Sequence, residues 1–420
     1  MLRQLPAEAR ERFERAVASI HDADPVARRL TKKAAERERR NRVDAALEQT
    51  GIRTLRRKPI FTNPNVFLLP NSEPRGSGPS VGTEENPAEE PQHCYVCKQK
   101  FSRIHHFYDQ MCPACAEFNF KKRTELADLR GRVALLTGGR VKIGYQAGLK
   151  LLRSGAQLIV TTRFPRDSAQ RYGREPDFEE WRHRLQILGL DLRYPFGVEA
   201  LCRQLLETLP RLDFIINNAC QTVRRPPEFY AHMMQGERAA HNALPPAIRQ
   251  LLEVHERQTG HLVSAGTEGL RAGSSQRSGS LSPAELSQVA LLAEDMQDPI
   301  DLFPKGHFDQ DLQQVDLRER NSWRLLMAEV SSVELLEVQL INAVAPFILN
   351  ARLKPLMLRS PERDKHIVNV SAMEGQFYRH RKTTRHPHTN MAKAALNMLT
   401  LTSAPDYAKS GLFMNAVDTG

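Results

Sequence analysis

The sequence predicts an α/β protein: a doubly wound parallel sheet over residues 128–420, preceded by a small cysteine-rich module and a basic helical segment. Three observations predict it. From about residue 128 short β-branched or apolar runs alternate with stretches of helical spacing, four cysteines stand in two Cys-x2-Cys pairs, and positive charge is concentrated ahead of both. Strand–helix alternation of this kind folds into right-handed βαβ units, with helices covering both faces of a parallel sheet.

The basic segment comes first. Of the net charge of +11, residues 28–58 carry +8, from twelve Lys or Arg against four acids, leaving +3 for the other 389 residues. Asp24-Pro25 reads as a helix cap followed by proline at the first helical position, and Gly51 as a helix end. Residues 1–69 are therefore expected as a basic helical segment: a solvated helix first, a surface for an acidic partner second. Residues 70–92, rich in Pro, Gly, Ser and Glu, read as a disordered linker.

Residues 93–123 hold Cys94, Cys97, Cys112 and Cys115, four of the six cysteines of the chain. Each Cys-x2-Cys turn lets two thiolates face one ion, and two turns close a tetrahedral four-sulfur site. A zinc-ribbon-like module with structural zinc is expected, its metal supplying folding free energy that so small a core lacks. An iron–sulfur centre, redox thiols, or substitution by His93, His105 or His106 are the alternatives. Cys202 reads as a core residue.

In the third segment Arg132 to Thr137, Gln157 to Thr162, Leu212 to Ile216 and His366 to Val370 read as strands, and Ile143 to Leu152 as a helix. The alternation lapses between about 230 and 330, an insertion with a Ser/Gly-rich stretch from Ser274 to Ser282, before an amphipathic helix at about 333–357. No run approaches the ~18 consecutive apolar residues of a membrane span, so none is expected. The first thirty residues lack the apolar core of a signal peptide, and their five acids are unlike an organelle-targeting peptide, so a cytoplasmic location is expected.

After the first of these strands comes Thr137-Gly138-Gly139-Arg140-Val141-Lys142-Ile143-Gly144. A glycine-rich turn between strand and helix lets backbone N–H groups meet a pyrophosphate. With the landmarks that follow it, this part of the chain resembles the short-chain dehydrogenase/reductase (SDR) family. The family's Thr-Gly-x3-Gly-x-Gly loop maps onto 137–144, with Lys142 in place of the middle glycine. Its Asn-Asn-Ala-Gly stretch appears as Asn217-Asn218-Ala219-Cys220, its acidic residue near the adenine as Asp191, and the asparagine of its long helix as Asn342. Asn369-Val370-Ser371, Thr389-Asn390-Met391-Ala392-Lys393 and Asn415-Ala416-Val417-Asp418-Thr419-Gly420 supply the remaining landmarks.

The resemblance implies an SDR-like Rossmann domain over 128–420. Its dinucleotide would be held by Thr137, Gly138, Gly139, Lys142, Ile143, Gly144, Arg163, Asp191, Asn217, Asn218, Ala219 and Lys393. The second strand ends Thr161-Thr162-Arg163, with an arginine where NAD-specific sites place a carboxylate, so NADP(H) is the expected cofactor. The catalytic set is expected at Lys393, Asn342, Ser371 and Thr389. Two departures matter. Thr389 stands at the family's tyrosine, and a threonine hydroxyl is too weak an acid to replace a phenol. Counting back from Gly375 places Ala372 at the family's serine, with Ser371 one residue earlier. Tyr378, His380, His386 and His388 are the candidate replacement acids. The chain stops at Gly420, where the family continues, so the domain reads as truncated.

The expected function is an NADP(H)-dependent oxidoreductase acting on an unidentified carbonyl or alcohol substrate. The alternative is a catalytically inactive relative that binds the dinucleotide and scaffolds a protein partner through the zinc module or basic segment. Nucleic acid is the less favoured partner, and self-association is left open.

Overall fold

The structure is a computed structural model that describes residues 11–14, 16, 25–56, 87–239, 241–268, 281–296, 302–309, 313–378 and 382–419. Most of the expected linker, the Ser/Gly-rich stretch up to residue 280, His380 and Gly420 lie outside the described residues. Two compact units result, one ending at Glu125 and one beginning at Leu126.

In the first unit, helices α1 (Pro25–Glu48) and α2 (Gly51–Arg56) precede strands β1 (Pro87–His93) and β2 (Lys100–Arg103), an antiparallel pair, and helix α3 (Pro113–Thr124). Helix α1 begins at the proline whose fixed φ suits a first helical turn. Strand β1 starts within the segment read as linker. Residues 25–56 and 87–125, which the sequence divides between a basic segment, a linker and a cysteine module, pack as one body. The N–H groups of Gly51 and Ile52 donate to the carbonyls of His106 and Phe107, both at 2.8 Å. Leu47 and Ile52 are buried with Phe101, Phe107 and Ala116. Arg53 bridges Glu48 (3.0 Å) and the buried Asp109 (2.8 Å).

The second unit alternates as expected: β3 (Val133–Thr137), α4 (Lys142–Arg153), β4 (Gln157–Thr162), α5 (Pro165–Tyr172), α6 (Phe178–Trp181), β5 (Leu185–Gly189), α7 (Pro195–Thr208) and β6 (Phe214–Asn217). Then follow α8 (Pro227–Arg238), α9 (Pro246–Glu268), α10 (Pro283–Leu286), α11 (Ser332–Gln339), α12 (Ala345–Met357), β7 (Lys365–Ser371), α13 (Pro387–Lys409) and β8 (Leu412–Asp418). The sheet order is β5-β4-β3-β6-β7-β8, with every pair parallel. The chain moves outward from β3 to β5, returns to β6 beside β3, and moves outward again. That is the doubly wound Rossmann order, and its crevice opens where β3 and β6 part.

Alternate side chains serve opposite faces of the sheet. Leu135, Ile159, Ile215 and Ile367 join Leu349 and Leu353 of α12 in one core. Ala134, Leu136, Leu158 and Val160 join Leu149, Leu152, Tyr172 and Trp181 in the other. Cys202 is fully buried in the first core, as a small apolar residue. Burying each such aliphatic side chain contributes about 1.5–3 kcal/mol, so both faces are committed to the interior.

Ser332–Met357 is long and apolar enough, by length and composition alone, to cross a membrane. Here it lies against the sheet, with Leu349, Leu353, Leu356 and Met357 fully buried. A π-turn at Leu340–Val344 separates α11 from α12.

Candidate functional site

The crevice holds a cavity of about 580 Å³. Its floor is the turn from β3 into α4. Gly138 has φ +70°, and a Cβ there would come within 2.9 Å of Ala219 Cα. At Gly144 a Cβ would lie 2.2 Å from Gly138 O and 2.4 Å from Asn218 Nδ2, distances no side chain tolerates. Glycine therefore brings the α4 N-terminus down onto the turn, leaving first-turn N–H groups toward the cavity. Lys142 has φ +55°, so the lysine that replaces the middle glycine keeps a glycine-type backbone.

Gly138, Lys142, Ile143, Gly144, Arg163, Asp191, Asn218 and Ala219 all line the cavity. The other expected binding residues stand behind it. Thr137 Oγ1 accepts the N–H groups of Asn218 (3.1 Å) and Ala219 (3.0 Å), tying the β3 and β6 loops together. Gly139 packs against Val160, and its carbonyl accepts the hydroxyl of Tyr172 at 3.0 Å. Asn217 donates to Asn350 Oδ1 (2.9 Å) and Asn369 Oδ1 (2.8 Å), and Asn369 donates to Thr400 (2.9 Å). Its amide joins β6 to β7 and α12 from within the core.

Charged residues of both signs line the cavity, Arg140, Lys142, Arg163 and Arg225 against Asp191 and Asp309. Arg163 donates to Tyr230 Oη at 2.8 Å and lies 4.7 Å from that ring's centroid, an amphipathic cation over an aromatic face. Asp191 is 3% exposed. Burial alone would raise its carboxyl, but hydrogen bonds and charge from Arg193 outweigh this and hold it below the usual carboxylate range. Because Arg193 grips both carboxylate oxygens, Oδ1 at 3.1 Å and Oδ2 at 2.7 Å, Asp191 positions the β5 loop with a carboxylate already committed.

None of the expected catalytic residues lines the cavity. Lys393 Nζ donates to the carbonyl of Val370 at 2.7 Å. Asn342, on the π-turn, accepts from Gln221 N (2.8 Å) and donates to Gln221 O (3.0 Å), clamping the loop after β6. Thr389 and Ser371 are 1% and 5% exposed, and neither hydroxyl has a hydrogen-bond partner among the described residues. Of the candidate replacement acids, Tyr378 is fully in solvent and His386 is buried against Trp323. His388 is buried with Nε2 3.3 Å from Glu334 Oε1.

The cavity's remaining walls carry residues that sequence reasoning missed: Arg225, Phe229, Tyr230, Gln314, Asn321 and Trp323. Several belong to the insertion, whose lack of periodicity left no signal to connect it with a glycine turn far away in sequence.

In the first unit, the sulfurs of Cys94, Cys97, Cys112 and Cys115 lie within 4.8 Å of one another. Cys97 and Cys112 are 3.7 Å apart. Two sulfurs about 2.3 Å from one tetrahedral ion sit roughly 3.8 Å apart, so the donor set fits zinc. Burial works against the Cys94 thiolate, but backbone N–H groups around it outweigh this and bring its pKa down to about 6. The Nδ1 atoms of two of the nearby histidines are engaged elsewhere. His105 Nδ1 accepts from the N–H of Phe107 at 3.1 Å, and His93 Nδ1 pairs with Lys98 O at 3.1 Å.

No family model matches the chain. It is 28% identical over 312 residues to the uncharacterized protein R665 of Acanthamoeba polyphaga mimivirus, covering 73% of this chain and 58% of that one. It is 33% identical over 105 residues to dehydrogenase/reductase SDR family member 13 of Bos taurus, 24% of this chain and 28% of the relative. Against retinol dehydrogenase 14 of Mus musculus it is 32% identical over 102 residues, 22% and 30% of the two chains. The chain thus spans about three-fifths of the viral relative and under a third of each reductase. Among solved structures, a metagenomic short-chain oxidoreductase in complex with NADP aligns with 70% of this chain and 83% of its own, at TM-score 0.42 and 14% identity. The Pseudomonas aeruginosa RhlG/NADP complex aligns with 69% and 73%, at TM-score 0.41 and 17% identity. The partial sequence matches of 32–33% identity are to members of the short-chain dehydrogenases/reductases.

Proposed function

We propose that the second unit binds NADP(H) as an oxidoreductase domain for a carbonyl or alcohol substrate, and that the four cysteines hold a structural zinc. Arg163 carries the cofactor reading. It lines the cavity at the end of β4, beside the glycine turn, where discrimination between the two dinucleotides takes place. Gly138, Gly144 and the first turn of α4 would receive the pyrophosphate, with Asn218 holding the turn through its bonds to Thr137 O and Gly138 O, both 3.1 Å. When bound, the nicotinamide supplies or accepts a hydride. The chain's own part is to bind, orient and exclude water. Titration should give NADPH at least tenfold tighter binding than NADH, and Arg163→Ala should remove most of that difference. Equal affinity for the two would refute the assignment.

A second reading, binding without turnover, is favoured by one observation: Thr389, Ser371 and Lys393 are buried and do not line the cavity. An NADPH-oxidation screen over aldehydes and ketones separates the two readings.

A further inference from the structure

Residues 321–329, in the segment whose role the sequence leaves open, are seated on the start of α13. The carbonyl of Leu325 accepts the N–H of His386 at 2.8 Å. The rings of Trp323 and His386 meet edge to face, centroids 4.5 Å apart. His386 takes φ +43°, a left-handed conformation that a side chain adopts only where its surroundings hold it. The stretch is anchored from its other side as well. Ser322 is buried and its Oγ accepts the N–H of Arg224 at 2.8 Å. Arg224 in turn grips Asp295 through two bonds of 2.6 Å. Two residues past His386, the buried His388 comes within 3.3 Å of Glu334, so α13 meets α11 at the same place.

The anchored stretch also reaches the cavity. The cavity lining includes the glycine turn, the ends of β4 and β5, Asn218 and Ala219 after β6, and Tyr230. Asn321 and Trp323 of the anchored stretch stand in its wall. Ser371, Thr389 and Lys393 do not, although the resemblance places the nicotinamide against them. Lys393, which would hold the nicotinamide ribose, is turned to Val370 O.

We propose that this cavity is a site for adenine nucleotides bearing a 2′-phosphate, in which the adenosine diphosphate part supplies the binding and the 321–329 stretch shuts out the nicotinamide ring. The proposal rests on the NADP(H)-binding part of that reading and on its second form, binding without turnover. It adds that the ring at the far end contributes nothing to affinity while Trp323 and His386 are in contact.

Calorimetry on the full chain with 2′-phospho-ADP-ribose and NADPH tests it, because the two ligands differ only by the nicotinamide. Affinities within about threefold, with no rise in nicotinamide fluorescence on binding, are expected. NADPH binding more than tenfold tighter, with enhanced fluorescence, would overturn the proposal while leaving the NADP(H) reading intact. Binding of neither ligand would overturn both. Trp323→Ala should give NADPH an advantage of fivefold or more over 2′-phospho-ADP-ribose, with fluorescence enhancement. A folded Trp323→Ala protein that still treats the two ligands alike would rule out the stretch as the closing element. If that variant does not fold, the comparison of the two ligands on the unaltered chain still decides.

Discussion

Gly144 shows how much one missing methyl group determines. A Cβ at that position would lie 2.2 Å from the backbone carbonyl oxygen of Gly138 and 2.4 Å from the Asn218 side-chain nitrogen, which is itself held by bonds to Thr137 O and Gly138 O. The Gly144→Ala substitution is expected to cost about 1–3 kcal/mol of stability, as overpacking does, and to weaken NADPH binding at least tenfold by lifting α4 off the turn. Thermal melting and calorimetry measure the two effects. Glu237 is a different case. It accepts the N–H groups of Arg166 (3.3 Å) and Asp167 (2.8 Å) at the start of α5, yet burial pushes its carboxyl up to about 7. A folded-state value above the ordinary 4.5 means that the folded chain binds the proton more tightly between these limits. Stability from this group is therefore greatest below about pH 4.5, falls as pH rises towards 7, and is level above that. Glu237→Gln, which keeps an acceptor and removes the charge, should melt a few degrees higher than the parent at pH 8 and converge with it towards pH 5. A difference constant across that range would show that ionisation is not the cause.

Among the elements, the cysteine cluster and α2 depend on each other. The turns that carry Cys94–Cys97 and Cys112–Cys115 flank the segment whose carbonyls, at His106 and Phe107, receive the first N–H groups of α2. A metal held by the four cysteines would therefore hold more than its own loops. Cys112→Ser should lower zinc from one per chain to well below one. It should also raise hydrogen exchange at Gly51 and Ile52, outside the cysteine loops. Unchanged zinc would exclude the four-sulfur site, and unchanged exchange would exclude the coupling. The long helix shows another dependence. Its apolar face packs on the sheet, while the π-turn rotates Asn342 onto Gln221. The C-terminal end is capped by the buried Lys365, whose ammonium donates to the carbonyls of Met357 and, at 2.6 Å, Ser360. Burial lowers that lysine's pKa, and the carbonyls at a helix C-terminus make a favourable place for its charge.

Across the whole molecule, legibility in the sequence followed the range of the interaction. Strand β4 was readable to the residue, because Leu158, Ile159 and Val160 are buried on both faces and so form an uninterrupted apolar run. The glycine turn was readable because positive φ and close approach restrict the residue type locally. The cysteine spacing was readable because two thiolates on one short turn must face the same ion. Asn217, Thr137 and Gly139 carried the right motif, but their side chains and backbone support the site from behind, a distinction that depends on partners more than eighty residues away for Thr137 and Asn217. Trp323, Arg225 and Tyr230 left no trace as cavity residues, since their place is set by how the insertion packs. By itself the sequence determined the alternation of strands and helices, the glycine cradle, Arg163 after the second strand of the sheet, and the four-sulfur donor set, all consequences of local sterics, periodicity and spacing. Only the tertiary structure decided that Asp191 is spent on Arg193, that Lys393 is turned to Val370, and that 321–329 lies over the start of α13. Each of those is a competition between distant groups for the same hydrogen bonds and the same buried space, which no local pattern records.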